Sequence, residues 1–316
     1  MPTAKRPRYG SLQFYPRKRA AKFLPSVNWN TISSDNPGIL GFITYKVGMA
    51  SAVIKDSTEK SLTEKKRVTI PVTILEAPNM KIFSVRFYKN SKVIKDIIVS
   101  NDKSLVSKVK VPKTLSDFDK EIPEDYDSIH IIAYSLVKQT GVKKKPDLIE
   151  LALSGPKPLD LIKPLIGKEI ALADFLNDFN LFDVRGLTTG KGMQGPVKRF
   201  GITLKSHKSE KGRRNPGSIA PWHPAHVTFR TPMAGQLGLF SRVHYNHKLI
   251  SSGTTEEKDI NPKAGFKHYG KIKTSYIIIK GSVQGPPKRQ ILITPAFRPT
   301  KAKEKLNYEF IKLITK

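Results

Sequence analysis

Gly190-Lys191-Gly192-Met193-Gln194-Gly195-Pro196-Val197-Lys198-Arg199-Phe200 is the stretch on which the fold turns. It spells GxGxxG. A dinucleotide-binding α/β fold would set that run between a strand and a helix, with an acid about 20 residues further on. Here Pro196 follows the last glycine and Val197 to Phe200 reads as a strand, while Glu210 comes too early and sits among basic residues. The α/β reading fails, and a β-rich chain is predicted instead. The glycines then let the backbone approach something bulky, with Lys191, Lys198 and Arg199 supplying charge.

Around this stretch, from Arg185 to Lys248, the chain carries twelve Lys and Arg residues and a single acid, Glu210. Five of the seven histidines and one of the two tryptophans lie there too. Glycine and proline interrupt it repeatedly, as in Lys211-Gly212-Arg213-Arg214-Asn215-Pro216-Gly217 and Pro221-Trp222-His223-Pro224. So much positive charge on so little core-forming sequence cannot pack against itself, because repulsion and missing apolar burial both oppose it. A polyanion lying along the segment removes both obstacles, which points to RNA. The expected contacts are His207, Lys208, Lys211, Arg213, Arg214, His223, His226, Arg230, Arg242, His244 and Lys248.

Trp222 is fixed between two prolines and has only polar neighbours. It reads as a rigidly presented ring that packs on nucleotides, the alternative being a core tryptophan. His223-x-x-His226 and His244-x-x-His247 could be assembled into a four-histidine metal site. Zinc sites prefer a thiolate or carboxylate in the set, and cationic surroundings oppose a divalent ion, so no metal is expected. No Ser-His-Asp order, nucleophile elbow or close carboxylate pair stands out, so no catalytic residue and no cofactor are expected either.

Towards the N-terminus, residues 1–36 read as an extended basic arm. Arg6, Arg8, Arg17, Lys18 and Arg19 are its expected RNA contacts, with Lys5 and Lys22 beside them and no acid before Asp35. Pro2, Pro7, Pro16 and Pro25 break any helix, and Tyr9, Phe14, Tyr15, Phe23 and Trp29 suit stacking or docking on a surface. A disordered, solvated tail is the plainer alternative.

From Gly38 onward short β-branched and aromatic runs set in: 39–45, 50–55, 68–76 and 81–88 read as strands, with Pro71 placing its strand at an edge or bulge. Residues 90–178 are nearly neutral and mixed, with strands at 128–137 and 148–153, short helices at 159–165 and 171–175, and an acidic cluster from Asp117 to Asp127 that reads as a solvated loop. This insertion is expected to turn away from the polyanion. Strands return at 241–250, 273–281 and 289–294, and 301–316 fits either a strand or a short helix.

The totals agree with a polyanion partner. The 316 residues suffice for one large or two ordinary domains, and 56 basic against 26 acidic residues leave a formal charge of +30. No apolar run approaches the roughly 20 residues of a spanning helix and no basic helix has a clean apolar face, so a membrane partner is not expected. There is no cysteine and no secretory h-region near the N-terminus. The cytoplasm is the expected compartment.

The chain resembles the universal large-subunit ribosomal protein L-three family in its archaeal and eukaryotic-type form. The family signature runs through Leu176, Asp183, Gly186, Thr188, Gly190, Lys191, Gly192, Gly195 and Arg199. A second match is Ile219-Ala220-Pro221-Trp222-His223-Pro224-Ala225-His226-Val227, followed by Ala234-Gly235-Gln236-Leu237-Gly238. Similarity extends from Arg6-Pro7-Arg8-Tyr9-Gly10-Ser11-Leu12 to about Pro295.

The resemblance implies a β-rich α+β chain: a translation-protein-type β-barrel with an inserted α+β subdomain, an extended basic N-terminal arm and a long basic central finger. In residue terms this is an arm (1–36), barrel (37–89), insertion (90–178), barrel strands with the signature (179–206), finger (207–240), barrel (241–300) and a C-terminal segment (301–316). It implies a non-enzymatic constituent of the large ribosomal subunit in the cytoplasm. The implied partners are large-subunit rRNA and neighbouring ribosomal proteins, without homo-oligomerisation, and the implied roles are in early assembly and near the peptidyl transferase centre. Trp222 would be the finger residue that influences the aminoacyl-tRNA path. Some eukaryotic members carry a modified histidine ahead of this tip. Alignment sets Glu210 there with His207 nearby, so the modification is not carried over. Two rivals share the charge: an RNA-modifying enzyme, which needs a cofactor pocket or acid/base set in the basic stretch, and a nonspecific chromatin or assembly chaperone, which would lack both motifs.

Overall fold

Residues 42–56 form the longest strand, because β-branched and aromatic side chains are dense there and no proline intervenes. The computed structural model describes residues 8–32, 34, 36–115, 117–176 and 179–314. In chain order the elements begin with β1 (Gly38–Ile39), β2 (Phe42–Asp56), β3 (Arg67–Ala77), β4 (Met80–Lys89), β5 (Lys92–Ile98), β6 (Ser128–Ser135) and β7 (Leu148–Ser154). Next come α1 (Pro158–Ile162), α2 (Leu172–Leu176), β8 (Leu181–Leu187), β9 (Met193–Gln194), α3 (Pro196–Phe200) and β10 (Gly235–Gln236). The chain ends with β11 (Ser241–Gly253), β12 (Ser275–Lys280), β13 (Gln290–Pro295), α4 (Lys301–Glu304) and β14 (Tyr308–Ile314). The structure is β-rich with short helices.

The chain divides into two compact units. One comprises residues 22–186 and 242–316, the other residues 1–21 and 187–241. The larger holds two sheets. In the first, strands run in the order β13-β8-β11-β12-β3-β2-β14, and β13 also pairs with β2, so six strands close into a ring with β14 added on β2. Residues 42–45 of β2 pair with β13 and residues 51–56 with β14, which is why so long a strand is needed. β12 lies between β11 and β3, and Tyr276 to Ile279 are all buried, as an apolar run enclosed on both faces should be. The second sheet has the order β1-β7-β6-β4-β5. A shared core spans both, with Phe175 of α2 set between Phe42 and Phe182 at ring separations of 5.7 and 5.9 Å.

The edge or bulge expected at Pro71 is corrected: β3 lies between β12 and β2, and Pro71 is tolerated at the end of the β12 pairing. Its carbonyl accepts from Gly281 N just past Lys280, the last β12 residue in register, so its missing N–H falls beyond the end of that ladder. Near the end of the chain a buried Lys46 donates to Val283 O and Gly285 O, fastening the turn before β13.

Several sequence expectations are corrected. Residues 197–200 are helical, not extended: Pro196 stands in the first turn, where its missing N–H costs nothing, and Gly201 closes the helix at φ 73°. The dinucleotide fold stays excluded because α3 has only five residues and the strand pairings in register are antiparallel. Of the strand read at 39–45, Ile39 belongs to β1 in the second sheet, and 42–45 runs on into 50–55 as one strand, with a register shift between Lys46 and Gly48 where a stop was expected. β4, expected in the barrel, pairs with β5 and β6 in the second sheet, which therefore begins before residue 90. Of 179–206, only β8 joins the ring; β9 pairs with β10 in a separate ribbon. The C-terminal segment holds both alternatives, α4 and then β14. Trp29, read as an arm aromatic, is buried with Leu24 in the core, and its Nε1–H donates to Glu150 O at 3.1 Å. Burial of one such ring contributes about 2–3 kcal/mol, enough to anchor residues 22–32 to the body.

Candidate nucleic-acid interface

The smaller unit holds fifteen Lys and Arg residues and one acid, Glu210, in residues 1–21 and 187–241. Residues 201–234 contain neither helix nor strand. What organises this unit is two glycines of the second match, Gly235 and Gly238, and two arginines. Gly238 has φ 79°, and a β-carbon there would stand 2.0 Å from Thr189 O, so no other residue fits. A β-carbon on Gly235 would meet the Arg199 guanidinium at 2.9 Å. That guanidinium donates to Gln236 O (2.9 Å), Met233 O (2.9 Å) and Arg17 O (3.0 Å), and Arg17 donates in return to Arg199 O at 2.7 Å.

The Arg199 guanidinium, expected to meet a ligand, is thus taken up by the chain's own carbonyls. Of the GxGxxG glycines, a β-carbon on Gly190 would meet the Leu239 side chain at 3.0 Å, whereas one on Gly192 or Gly195 would have nothing within 4 Å. Burial, and then the charge of Arg17, hold the Arg199 pKa below its usual value.

The arm is fastened through the same device. Arg17 lies over the Phe200 ring at 4.3 Å, and Tyr15 packs on Phe200 and Phe229 at 6.4 and 5.8 Å. Arg8 donates to Tyr15 Oη and to Arg230 O, and Tyr9 Oη meets Thr203 Oγ1 at 2.9 Å. Tyr9 and Tyr15 thus dock on the protein itself. No local pattern could have paired residue 15 with residue 229.

Exposed side chains occupy most of the remaining expected positions: Lys18, Arg19, Lys191, Lys198, His207, Lys208, Lys211, Arg213, Arg214, His223, His226 and Arg230. Arg6 lies outside the described residues. Trp222 is 88 % exposed, its ring edge-on to His223 at 6.4 Å, which rules out the core alternative. Thr231 Oγ1–H donates to Ile219 O at 2.9 Å, tying the two limbs below this tip. An indole this exposed leaves its ring faces open to solvent, and a flat ligand is the group such a face suits.

Arg242, His244 and Lys248 belong to the larger unit. Arg242 is half-buried and His244 exposed. Lys248 is buried, with Nζ turned to Glu304 O at 3.4 Å, so the expectation of a surface contact there is corrected: on β11 its side chain points inward. Beside it, His247 is buried. One ring nitrogen meets Lys280 O at 2.8 Å and the other meets His244 Nδ1 at 2.7 Å. Burial first, then His244 and Lys303, depress the His247 pKa from 6.5 to about 4.

Between those values the unfolded chain takes up a proton that the folded chain refuses, so stability rises with pH. The contribution is complete above pH 6.5 and falls away towards pH 4. The urea-unfolding free energy of the chain relative to a His247→Gln variant should drop by about 3 kcal/mol between pH 7 and pH 4, at roughly 1.4 kcal/mol per pKa unit. A difference independent of pH would mean that His247 is not buried neutral. Among the described residues, no group of three or more His, Asp and Glu stands where it could hold a metal, and no helix is long and apolar enough to cross a membrane.

A model of the family described as Ribosomal protein L3 matches residues 1–97 and 86–315. Among similar proteins, one from Methanosphaera stadtmanae is 38 % identical over 312 residues, covering 92 % of each chain. One from Archaeoglobus fulgidus is 38 % identical over 314 residues, covering 94 % of this chain and 93 % of its own. One from Methanocaldococcus jannaschii is 36 % identical over 312 residues, covering 93 % and 92 %. All three are called large ribosomal subunit protein uL3.

Proposed function

The chain belongs to the ribosomal protein L3 family, in its archaeal branch, and from that premise we propose that it is a structural constituent of the large ribosomal subunit. Its work is to bind large-subunit rRNA, to support early assembly, and to organise RNA near the peptidyl transferase centre. The family is one of structural proteins, and the chain is not an enzyme. The observation that carries the RNA reading is the smaller unit: fifteen basic residues against one acid, a segment at 201–234 without regular structure, and an exposed Trp222 at a proline-bounded turn.

The closed ring of six strands is the translation-protein-type barrel, the second sheet with its helices is the inserted subdomain, and residues 207–240 are the finger. Affinity comes from phosphate contacts by Lys and Arg, and placement from the Arg199–Arg17 clamp that holds arm and finger root together. Trp222 and the exposed His223 and His226 then pack on bases or donate to phosphate.

Trp222→Ala tests the tip. The melting temperature of the free protein should change by less than about 1 °C, since an exposed ring contributes little to folding, while ribosomes carrying the variant should show altered aminoacyl-tRNA binding. A melting temperature lowered by several degrees would make Trp222 part of a core. Crosslinking in cells, mapped to both RNA nucleotide and protein residue, tests the whole: arm and Trp222 adducts on large-subunit rRNA support it, and adducts scattered over unrelated RNAs promote the basic-chaperone alternative.

A further inference from the structure

The insertion's charge is not evenly spread. Its acidic cluster is largely neutralised by lysines of the same unit: Lys120 with Asp117, Lys163 with Asp119, Lys95 with Glu121 and Lys89 with Asp125. Elsewhere in the unit, two short 3-10 turns, at Lys103–Leu105 and Val137–Thr140, face an open cleft of about 830 Å³. Lys103, Lys138, Lys143 and Lys144 line it together with Val106 and Val142.

Both walls are built rigidly. Leu105 is fully buried beside Phe83 and Tyr134, and Asp102 accepts from Ser104 N at 2.9 Å and from Tyr134 Oη at 3.3 Å. On the other side, Thr140 Oγ1–H donates to Val137 O at 2.7 Å, and Gly141 at φ 71° ends the turn. Lys143 is held by Asp147 and lies over the Tyr45 ring at 5.5 Å, which leaves Lys103, Lys138 and Lys144 as the exposed cations of the cleft.

A distant segment adds to them. Lys273 Nζ lies 3.4 Å from where a β-carbon on Gly141 would stand, so its ammonium stands beside the turn. Lys273 ends a run, residues 260–274, that contains Lys263, Lys267, His268, Lys271 and no acid. That run is clamped by the buried Glu76, whose Oε1 accepts from Lys273 N at 2.8 Å, and by Asn261, which exchanges hydrogen bonds of 2.8 and 3.0 Å with Ile272.

We propose that this cleft is a second polyanion site, taking the phosphate backbone of an RNA strand through Lys103, Lys138, Lys144 and Lys273. It rests on the rRNA-binding reading above and adds a contact within the insertion, which the sequence had turned away from RNA. Phosphates suit it better than an acidic peptide. Its cations are lysine point charges without the arginine fork that grips a carboxylate, and neither of its turns offers a strand edge for a peptide to extend. Asp102 is engaged by Ser104 and Tyr134, and Asp147 by Tyr45 and Lys143; among the described residues Lys103, Lys138, Lys144 and Lys273 form no ion pair within 4.0 Å.

The chain has no cysteine, so one introduced thiol is unique. Large subunits would be assembled with Val106→Cys, in the cleft, or with Ser218→Cys, on the finger, each carrying a tethered hydroxyl-radical source. Strand cleavage of rRNA from position 106 is expected. Cleavage from 218 with none from 106 overturns the cleft proposal and leaves the ribosomal reading standing; cleavage from neither overturns both. Crosslinking of position 106 to a ribosomal protein instead of RNA overturns the phosphate site in favour of an acidic protein partner. In parallel, replacing all four lysines by glutamine should lower the magnitude of the salt slope for rRNA binding by about 3, at roughly 0.7–0.9 per phosphate. An unchanged slope in the folded variant overturns the proposal.

Discussion

Glu76→Ala should lower the unfolding free energy by about 3–5 kcal/mol, the range for a buried hydrogen-bonded charge whose partners are left without an acceptor. Glu76 is fully buried, and one oxygen accepts from Lys273 N (2.8 Å), Thr274 N (3.1 Å) and Thr274 Oγ1 (3.1 Å), while the other accepts from the Tyr269 hydroxyl. Burial and the Glu76 charge together hold the Tyr269 hydroxyl far above the usual phenol range, so it stays a donor. Alanine removes every one of these acceptors. Glu76→Gln keeps an oxygen for the two backbone N–H groups, and Tyr269 can turn to accept from the new amide, so about 1–2 kcal/mol should be lost. Urea unfolding measures both. A loss below 1 kcal/mol for alanine would mean that the 260–274 segment is held by other contacts. If the loss is as large as expected, hydrogen exchange should show that segment opening first, and Lys273 leaving the cleft with it.

If the chain binds large-subunit rRNA as proposed, its affinity should fall about 10⁴-fold or more as salt rises from 50 to 200 mM. The smaller unit displays ten exposed Lys and Arg residues among those described, Lys18, Arg19, Lys191, Lys198, Lys205, Lys208, Lys211, Arg213, Arg214 and Arg230. If about ten phosphates are neutralised, log K against log salt should have a slope near −7 to −9, because each neutralised phosphate releases condensed counterions. Filter binding or titration calorimetry at four salt concentrations suffices. A slope of −1 or −2 would leave no extended electrostatic footprint and would return the basic residues to a merely solvated role. Arg199 and Arg17 are deliberately outside this count, since carbonyl oxygens of their own unit already occupy them. Their loss should disorder the arm and the finger root without changing the slope in proportion to the charge removed.

The amino-acid sequence by itself determined whatever is written in neighbouring residues. Strands at 68–76, 128–137 and 241–250 were legible because β-branched side chains recur with turn residues between them. The exposed Trp222 was legible because two prolines hold it in a turn with no strand or helix pattern around it. Even the error at 197–200 was local: Pro196 and Gly201 are helix punctuation, and they outweigh the strand-like Val197 and Phe200.

Tertiary structure decided what depends on partners far away in the chain. Which sheet takes β4, the burial of Trp29 and Lys248, the closure of β13 on β2, and the meeting of Lys103, Lys138 and Lys273 all join residues that no short window contains. The physical reason is that propensity and charge act over a few residues. Pairing and burial are settled only when the whole chain competes for the same core and each buried donor must find its acceptor.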